Sequence, residues 1–207
     1  MKALIFLIVT LMGIPSLFAG LVQFDDAIPG ALPAHWLGGI TGPGHAKWEV
    51  VPDATAPSAP NVLRQSGMAK FCWCVQTNLS LQNGAIEVKF KPLTGKEDQS
   101  GGLIWRWQDG NNYYVARANA LEDNITIYHT IRGVRQERGR QAMKVTANQW
   151  HTLRVEFHGP HFEVLFDGQK ALQWDDQTFK KAGAAGVWTK ADSVTLFDDF
   201  KWEPSEK

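Results

Sequence analysis

The side chains able to do chemistry in this 207-residue chain crowd into one stretch, Gly101 to Arg135. It reads GGLIWRWQDGNNYYVARANALEDNITIYHTIRGVR and carries Arg106, Tyr113, Arg117, Asn119, Glu122 and His129. A guanidinium offers five donors in a fixed fork, and an amide and a phenol add acceptors. Such a set suits recognition of hydroxyls or of a carboxylate. A second polar cluster, Trp188-Thr189-Lys190-Ala191-Asp192-Ser193, adds Lys190 as a candidate ligand-binding cation. Plainer readings stand beside these. The arginines could cross a solvated sheet face as ion pairs with Glu122 or Asp123, and Lys190 could pair with Asp192 in a turn. His129 could be an ordinary hydrogen-bonded strand histidine. No spacing singles out a catalytic residue.

The elements that must position these groups are strands. Asp109-Gly110-Asn111-Asn112 is hairpin chemistry, since Asp and Gly tolerate positive φ. It separates Gly101–Gln108 from Tyr113–Ala120, and Asn124–Thr130 follows before a turn at Arg132-Gly133. Alternation puts Leu103, Trp105 and Trp107 on one side and Gly102, Ile104, Arg106 and Gln108 on the other. On the next strand Tyr113, Val115, Arg117 and Asn119 oppose Tyr114, Ala116, Ala118 and Ala120. The alanine stripe reads as core, which leaves Arg117 and Asn119 on the outer face with Arg106 as their expected neighbour across the hairpin.

The rest of the chain repeats the period-2 signal. GAIEVKFK (84–91) and WHTLRVEFH (150–158) alternate apolar and polar residues, and Asp167-Gly168 marks a second tight hairpin. Further strands are expected at 22–25, 48–51, 60–65, 71–76, 161–166, 170–174, 186–190 and 193–202. Helical periodicity is nowhere sustained. Ten or more short strands with nine Trp and eleven Phe to fill them argue for an all-β antiparallel sandwich or barrel. For any one Trp, the core is the default place. In such a sandwich the first and last strands usually meet, which would bring Asp25-Asp26 near Asp198-Asp199.

Composition limits the functions open to the chain. Twenty-one basic and twenty-one acidic residues leave no basic excess for nucleic acid and no charged tail. Met1-Lys2, an apolar run from Ala3 to Ile14, and Ala19-Gly20 describe a signal peptide over residues 1–19, too short for a comfortable membrane span. An uncleaved or lipid anchor is the alternative, though no Cys lies just beyond the run. The expectation is a secreted or periplasmic single domain over 20–207, with no membrane span once the leader is removed. Cys72 and Cys74 on one strand face would stand about 6.5 Å apart, too far for an unstrained disulfide, and read as two small buried residues.

The stretch at 101–135, with WHTLRVEFHG, VLFDGQKAL and GVWTKADSVTLFDDF, resembles secreted bacterial domains of the concanavalin A-like lectin/glucanase superfamily. The nearest groups are the laminin-G-like and 3-keto-disaccharide hydrolase domains. The resemblance spans Phe24 to Trp202 and implies a jelly roll of two antiparallel sheets, with carbohydrate bound across a concave face. It also implies a structural calcium where the end strands meet, for which Asp25, Asp26, Asp198 and Asp199 are the available carboxylates. The Glu-x-Asp-x-(x)-Glu run of laminarinase-type relatives is missing: Glu87-Val88-Lys89 has lysine at the aspartate position, and Glu122-Asp123, Asp175-Asp176 and Asp198-Asp199 are adjacent pairs that face opposite ways. Three functions remain open. The chain could be a lectin-like carbohydrate-binding protein using Arg106, Tyr113, Arg117, Asn119, His129 and Lys190. It could be a 3-keto-glycoside hydrolase or lyase drawing on His129, Glu122, Arg106, Arg117 and Lys190. It could also be a laminin-G-like protein-interaction module.

Overall fold

The computed structural model describes residues 19–205. The expected leader, residues 1–19, lies outside them except for Ala19, whose N–H donates to the Trp202 carbonyl at 2.8 Å. Fifteen strands form two antiparallel sheets, and no helix occurs among the described residues. The expected jelly-roll sandwich is the observed fold.

The eight-stranded sheet has the order β13-β12-β11-β6-β15-β4-β3, with β1 beside β15. These strands are β1 (Gly20–Val22), β3 (Trp48–Pro52), β4 (Asn61–Gln65), β6 (Gly84–Thr94), β11 (His151–His158), β12 (His161–Phe166), β13 (Gln169–Asp175) and β15 (Val194–Pro204). The seven-stranded sheet has the order β10-β9-β8-β7-β14-β5-β2. Its members are β2 (Trp36–His45), β5 (Met68–Leu81), β7 (Ser100–Asp109), β8 (Asn112–Asn119), β9 (Asn124–Ile131), β10 (Val134–Ala142) and β14 (Gly183–Ala191).

The core between the sheets is built from the inward set of each strand. Ile86, Val88 and Phe90 from β6, with Leu153, Val155 and Phe157 from β11, meet Leu103, Trp105, Tyr114, Ala116 and Ala118. Trp105 is fully buried beside Tyr114 (5.4 Å), Phe162 (5.5 Å) and Phe157 (6.4 Å). Cys72 and Cys74 are buried in the same core as free thiols, as their one-face spacing implied.

The turns follow the expected chemistry in two of three places. Asp167-Gly168 and Arg132-Gly133 both take positive φ at both positions, the mirror-image turn that suits a two-residue hairpin. The Asp109 turn forms too, but not through positive φ. Instead the Asp109 carboxylate accepts from the Asn111 N–H (2.8 Å) and the Asn112 Nδ2 (2.9 Å). β1 pairs with β15, Gly20 opposite Trp202, so the end strands do meet. β2 and β10 were not foreseen. WLGGITGPGH is too rich in glycine, and VRQERGRQA too polar, to show a buried stripe; both are edge strands.

Candidate functional site

β8 and β9 are buried at almost every position, so both faces of the seven-stranded sheet are covered. The inner face meets the sandwich core. The outer face carries a second cluster of Phe71, Trp73, Val75, Ile104, Tyr113, Val115, Tyr128 and Trp188. Among the described residues no further sheet lies over it; the sheet curls over itself. In a flat sheet, β10 and β5 are five steps apart, or about 24 Å at 4.8 Å per step. Yet the Arg135 guanidinium on β10 lies 4.6 Å from the Phe71 ring on β5, 4.1 Å from Tyr128 and 5.7 Å from Trp188. Likewise Thr41 on β2 reaches the Tyr113 hydroxyl on β8 at 2.7 Å. Gly39 makes room for the curl, because a Cβ there would stand 2.3 Å from the Trp73 ring. The outer face is therefore a groove, pinched at the end where the hairpin tips meet Thr41.

The other end of the groove is polar. Arg117 projects from β8 and is nearly inaccessible. Its Nη1 donates to Asp98 at 3.1 Å, and its Nη2 to Glu122 at 2.7 Å and to Asn124 Oδ1 at 3.1 Å. Lys190 on β14 brings a second cation to the same Asp98 oxygen at 2.9 Å. Glu122 lies 3.6 Å from Arg140, which pairs with Glu137 at 2.7 Å. Exposure rises outward along this chain: the side chains of Asp98 and Arg117 are 0% and 2% exposed, Lys190 28% and Glu122 38%. Burial opposes ionisation of Glu122, but Asn124 and Arg117 outweigh it and hold its pKa below the usual value.

The structure brings Arg117, Lys190 and Glu122 together and separates the other expected residues. Asn119 is on the same strand face as Arg117, but its Oδ1 caps the turn by accepting from the N–H groups of Leu121 (2.8 Å) and Glu122 (3.3 Å). Tyr113 is on the groove face too, sealed in the pinch by Thr41. Arg106 is not the neighbour of Arg117. A bulge between Trp105 and Asp109, with Arg106 at φ 44°, breaks the alternation and turns Trp107 into the groove cluster. Gly183 accommodates it, since a Cβ there would stand 2.6 Å from the Trp107 carbonyl. Arg106 instead swings toward the other sheet, above Phe162 at 5.2 Å, and donates to the carbonyls of Gln82, Gly159 and Phe179.

His129 is also displaced from the expected site. It alternates with Tyr128 and so faces the core side, edge-on to Trp174 at 5.7 Å, with Nε2 accepting from Arg138 Nη2 at 2.7 Å. The parts considered for keto-glycoside chemistry are thus divided among three places. Lys190 does not pair with Asp192, whose carboxylate caps the N–H groups of Lys96, Glu97 and Asp98. The expected pairing of Arg117 with Glu122 is present, while Asp123 pairs with Lys144 at 2.8 Å. Asp98 and Arg135 were missed. Asp98 precedes its strand in no recognisable pattern, and Arg135 sits on the unforeseen β10.

Two other places bear on the expectations. A cavity of about 290 Å³ opens beside Arg106, lined by Gln82, Asn83, Gly159, Pro160 and Asp176 among others, away from the groove. At the junction of the end strands, Asp25 Oδ1 accepts from the Asn61 N–H (3.1 Å) and Asp199 Oδ1 from Gln23 Nε2 (3.3 Å). Asp198 is fully buried; burial raises its pKa to about 6 although Ser58 and the Asp199 N–H donate to it. Asp25 and Asp199 each keep a second carboxylate oxygen for a cation. Among the described residues, however, no three His, Cys, Asp or Glu side chains gather to hold a metal, so calcium there would draw mainly on backbone carbonyls.

No protein-family profile and no curated protein matches the chain. Solved structures do match. A carbohydrate-binding module, CBM66 from Bacillus subtilis, aligns with a TM-score of 0.67 at 17% identity, covering 82% of this chain and 95% of that one. A β-glucanase from Bacillus licheniformis aligns at 0.62 and 10% identity, covering 92% and 100%. A protein of unknown function with a galectin-like fold from Bacillus subtilis aligns at 0.56 and 11% identity, covering 81% and 88%. At these identities the likeness is one of fold.

Proposed function

We propose that this chain, whose fold is that of the concanavalin A-like lectin/glucanase superfamily, is a secreted or periplasmic protein that binds carbohydrate in the curled face of its seven-stranded sheet and does not cleave it. The observation that carries this reading is the network at the open end of the groove. Glu122 presents an acceptor at the surface and Lys190 and Arg140 present donors, while Asp98, Arg117 and Asn124, buried beneath them, hold this arrangement before any ligand arrives. A sugar hydroxyl both donates and accepts, so alternating fixed donors and acceptors match it without further ordering of side chains. The solved carbohydrate-binding module of the same fold supports the reading.

The absence of cleavage rests on two features. The sequence lacks the laminarinase-type carboxylate run. A glycosidase also needs one carboxyl kept protonated as the acid, whereas Glu122 in this groove is held in its ionised form. A laminin-G-like protein-interaction module is the second reading, favoured by the pinched end, which the protein's own side chains fill. We also propose that calcium binds where β1 meets β15, held mainly by backbone carbonyls, with Asp25, Asp26 or Asp199 supplying one or two carboxylates.

A glycan array with the wild type and with Lys190→Ala and Glu122→Gln tests the first reading. At least one glycan class should bind the wild type, with binding weakened about tenfold or more in each variant, as loss of a charge-assisted hydrogen bond implies. Glycan hits indifferent to both substitutions would place the ligand elsewhere. No hits at all would leave the protein-interaction reading.

A further inference from the structure

Arg135 is not accounted for by the network. Among the described residues it donates to no acceptor and lies within ion-pair distance of no carboxylate. Its Nη1 is closed off from solvent with no partner, while the side chain as a whole stays partly exposed. Burial pushes its pKa down, the sign of a cation held where its charge is poorly solvated. The guanidinium plane rests on Tyr128, Phe71 and Trp188, so attraction to the ring faces offsets part of that penalty and fixes its position. A cation so placed is stabilised by any anion that reaches its free edge.

The surroundings point the same way. Lys70 also lies close to this floor, its Nζ 5.5 Å from the centre of the Phe71 ring. Along the groove, Lys70, Arg117, Arg135, Arg140 and Lys190 are five cations against the three carboxylates Asp98, Glu122 and Glu137, in a chain whose net charge as a whole is zero. The floor itself cannot serve a neutral sugar by stacking. Phe71, Tyr128 and Trp188 are 4%, 2% and 0% exposed, covered in part by Arg135. What the groove offers a ligand is the guanidinium above the rings.

We propose that the ligand of this groove is an acidic sugar, a uronate-containing glycan whose carboxylate pairs with the free edge of Arg135 while its hydroxyls engage the Lys190 and Glu122 end. The proposal rests on the carbohydrate-binding reading and narrows it. A planar carboxylate accepts two parallel N–H groups from one guanidinium, which a hydroxyl cannot do. Attraction to a groove of net charge +2 is screened by salt, so affinity falls as ionic strength rises.

Calorimetric titration with trigalacturonate, a mannuronate trisaccharide and a hyaluronan tetrasaccharide, each beside its carboxyl-reduced counterpart, tests it. At least one acidic glycan should bind at least tenfold more tightly than its reduced form. Arg135→Gln should erase that ratio while a melting curve shows the fold retained, and Arg135→Lys should restore only part of it. The proposal is overturned if each acidic glycan binds no better than its reduced form, if Arg135→Gln leaves the ratio intact, or if a sulfated glycan binds where no carboxylated one does. Neutral glycans binding alone would overturn it and leave the carbohydrate reading standing. No binding by any glycan, on the array or here, would remove both.

Discussion

Removing the Asp98 carboxylate is the perturbation with the largest expected consequence. Asp98 is wholly buried, and it is the shared acceptor of Arg117, almost wholly buried, and Lys190, about a quarter exposed. Breaking a buried pair by deleting one partner leaves a stranded charge and costs roughly 3–5 kcal/mol. The Lys190 contact is partly solvated and adds only about 1 kcal/mol or less. Asp98→Ala should therefore destabilise by about 3–6 kcal/mol in urea unfolding, or roughly 6–24 °C in Tm for a chain of this size. Arg117→Leu should cost a similar amount, because Asp98 and Glu122 lose their shared partner. In the double variant neither charge is stranded by the other, so its cost should fall short of the sum of the singles by more than about 1 kcal/mol. Additive costs within about 0.5 kcal/mol, or a cost of Asp98→Ala below about 1 kcal/mol, would refute the coupled network on which the site is built.

Three further outcomes are expected. Asp198 has a folded pKa of about 6 against roughly 3.9 unfolded, so the folded chain binds that proton more tightly. Stability from this group then rises as pH falls from above 6 towards 4, by at most about 3 kcal/mol, and Asp198→Asn should remove that slope; an identical pH profile in the variant would sink the assignment. Cys72, with its pKa pushed up to about 11 by burial, and Cys74, raised well above the usual value by the same cause, should resist thiol reagents in the native state and both react in urea. Rapid native labelling, or no labelling in urea without reductant, would contradict two buried free thiols. Chelation should lower Tm if calcium joins β1 to β15 beside Asp25, Asp26 or Asp199; an unchanged melting curve removes the metal.

Most of the sandwich was legible in the sequence because half-exposed strands write their burial in alternate positions. β6 and β11 did so cleanly, and the pairs Asp167-Gly168 and Arg132-Gly133 placed their hairpins. The alanine stripe of β8 located the core face, and with it the face of Arg117. Alternation failed at Arg106 because one residue at positive φ reverses every side chain beyond it, and nothing in RWQDG announces the bulge. At His129 alternation holds: it lies opposite Tyr114, on the core side, and only its closeness in sequence suggested a place beside Arg117. Curl was invisible for a different reason. The contacts that reveal it, Arg135 to Phe71 and Thr41 to Tyr113, join edge strands whose glycine-rich and polar sequences carry no period. Asp98 was missed because a buried carboxylate in a loop is recognisable only by its partners.

The central claim is that a sugar enters the curled face of the seven-stranded sheet at its polar end. Backbone amide shifts followed by NMR during titration with a glycan that binds test it directly. The shifts should concentrate at Asp98, Glu122, Arg135 and Lys190 and spare the cavity beside Arg106 and the β1–β15 junction. Shifts gathered at Gln82, Asn83 and Gly159 instead, with the groove unmoved, would contradict the account.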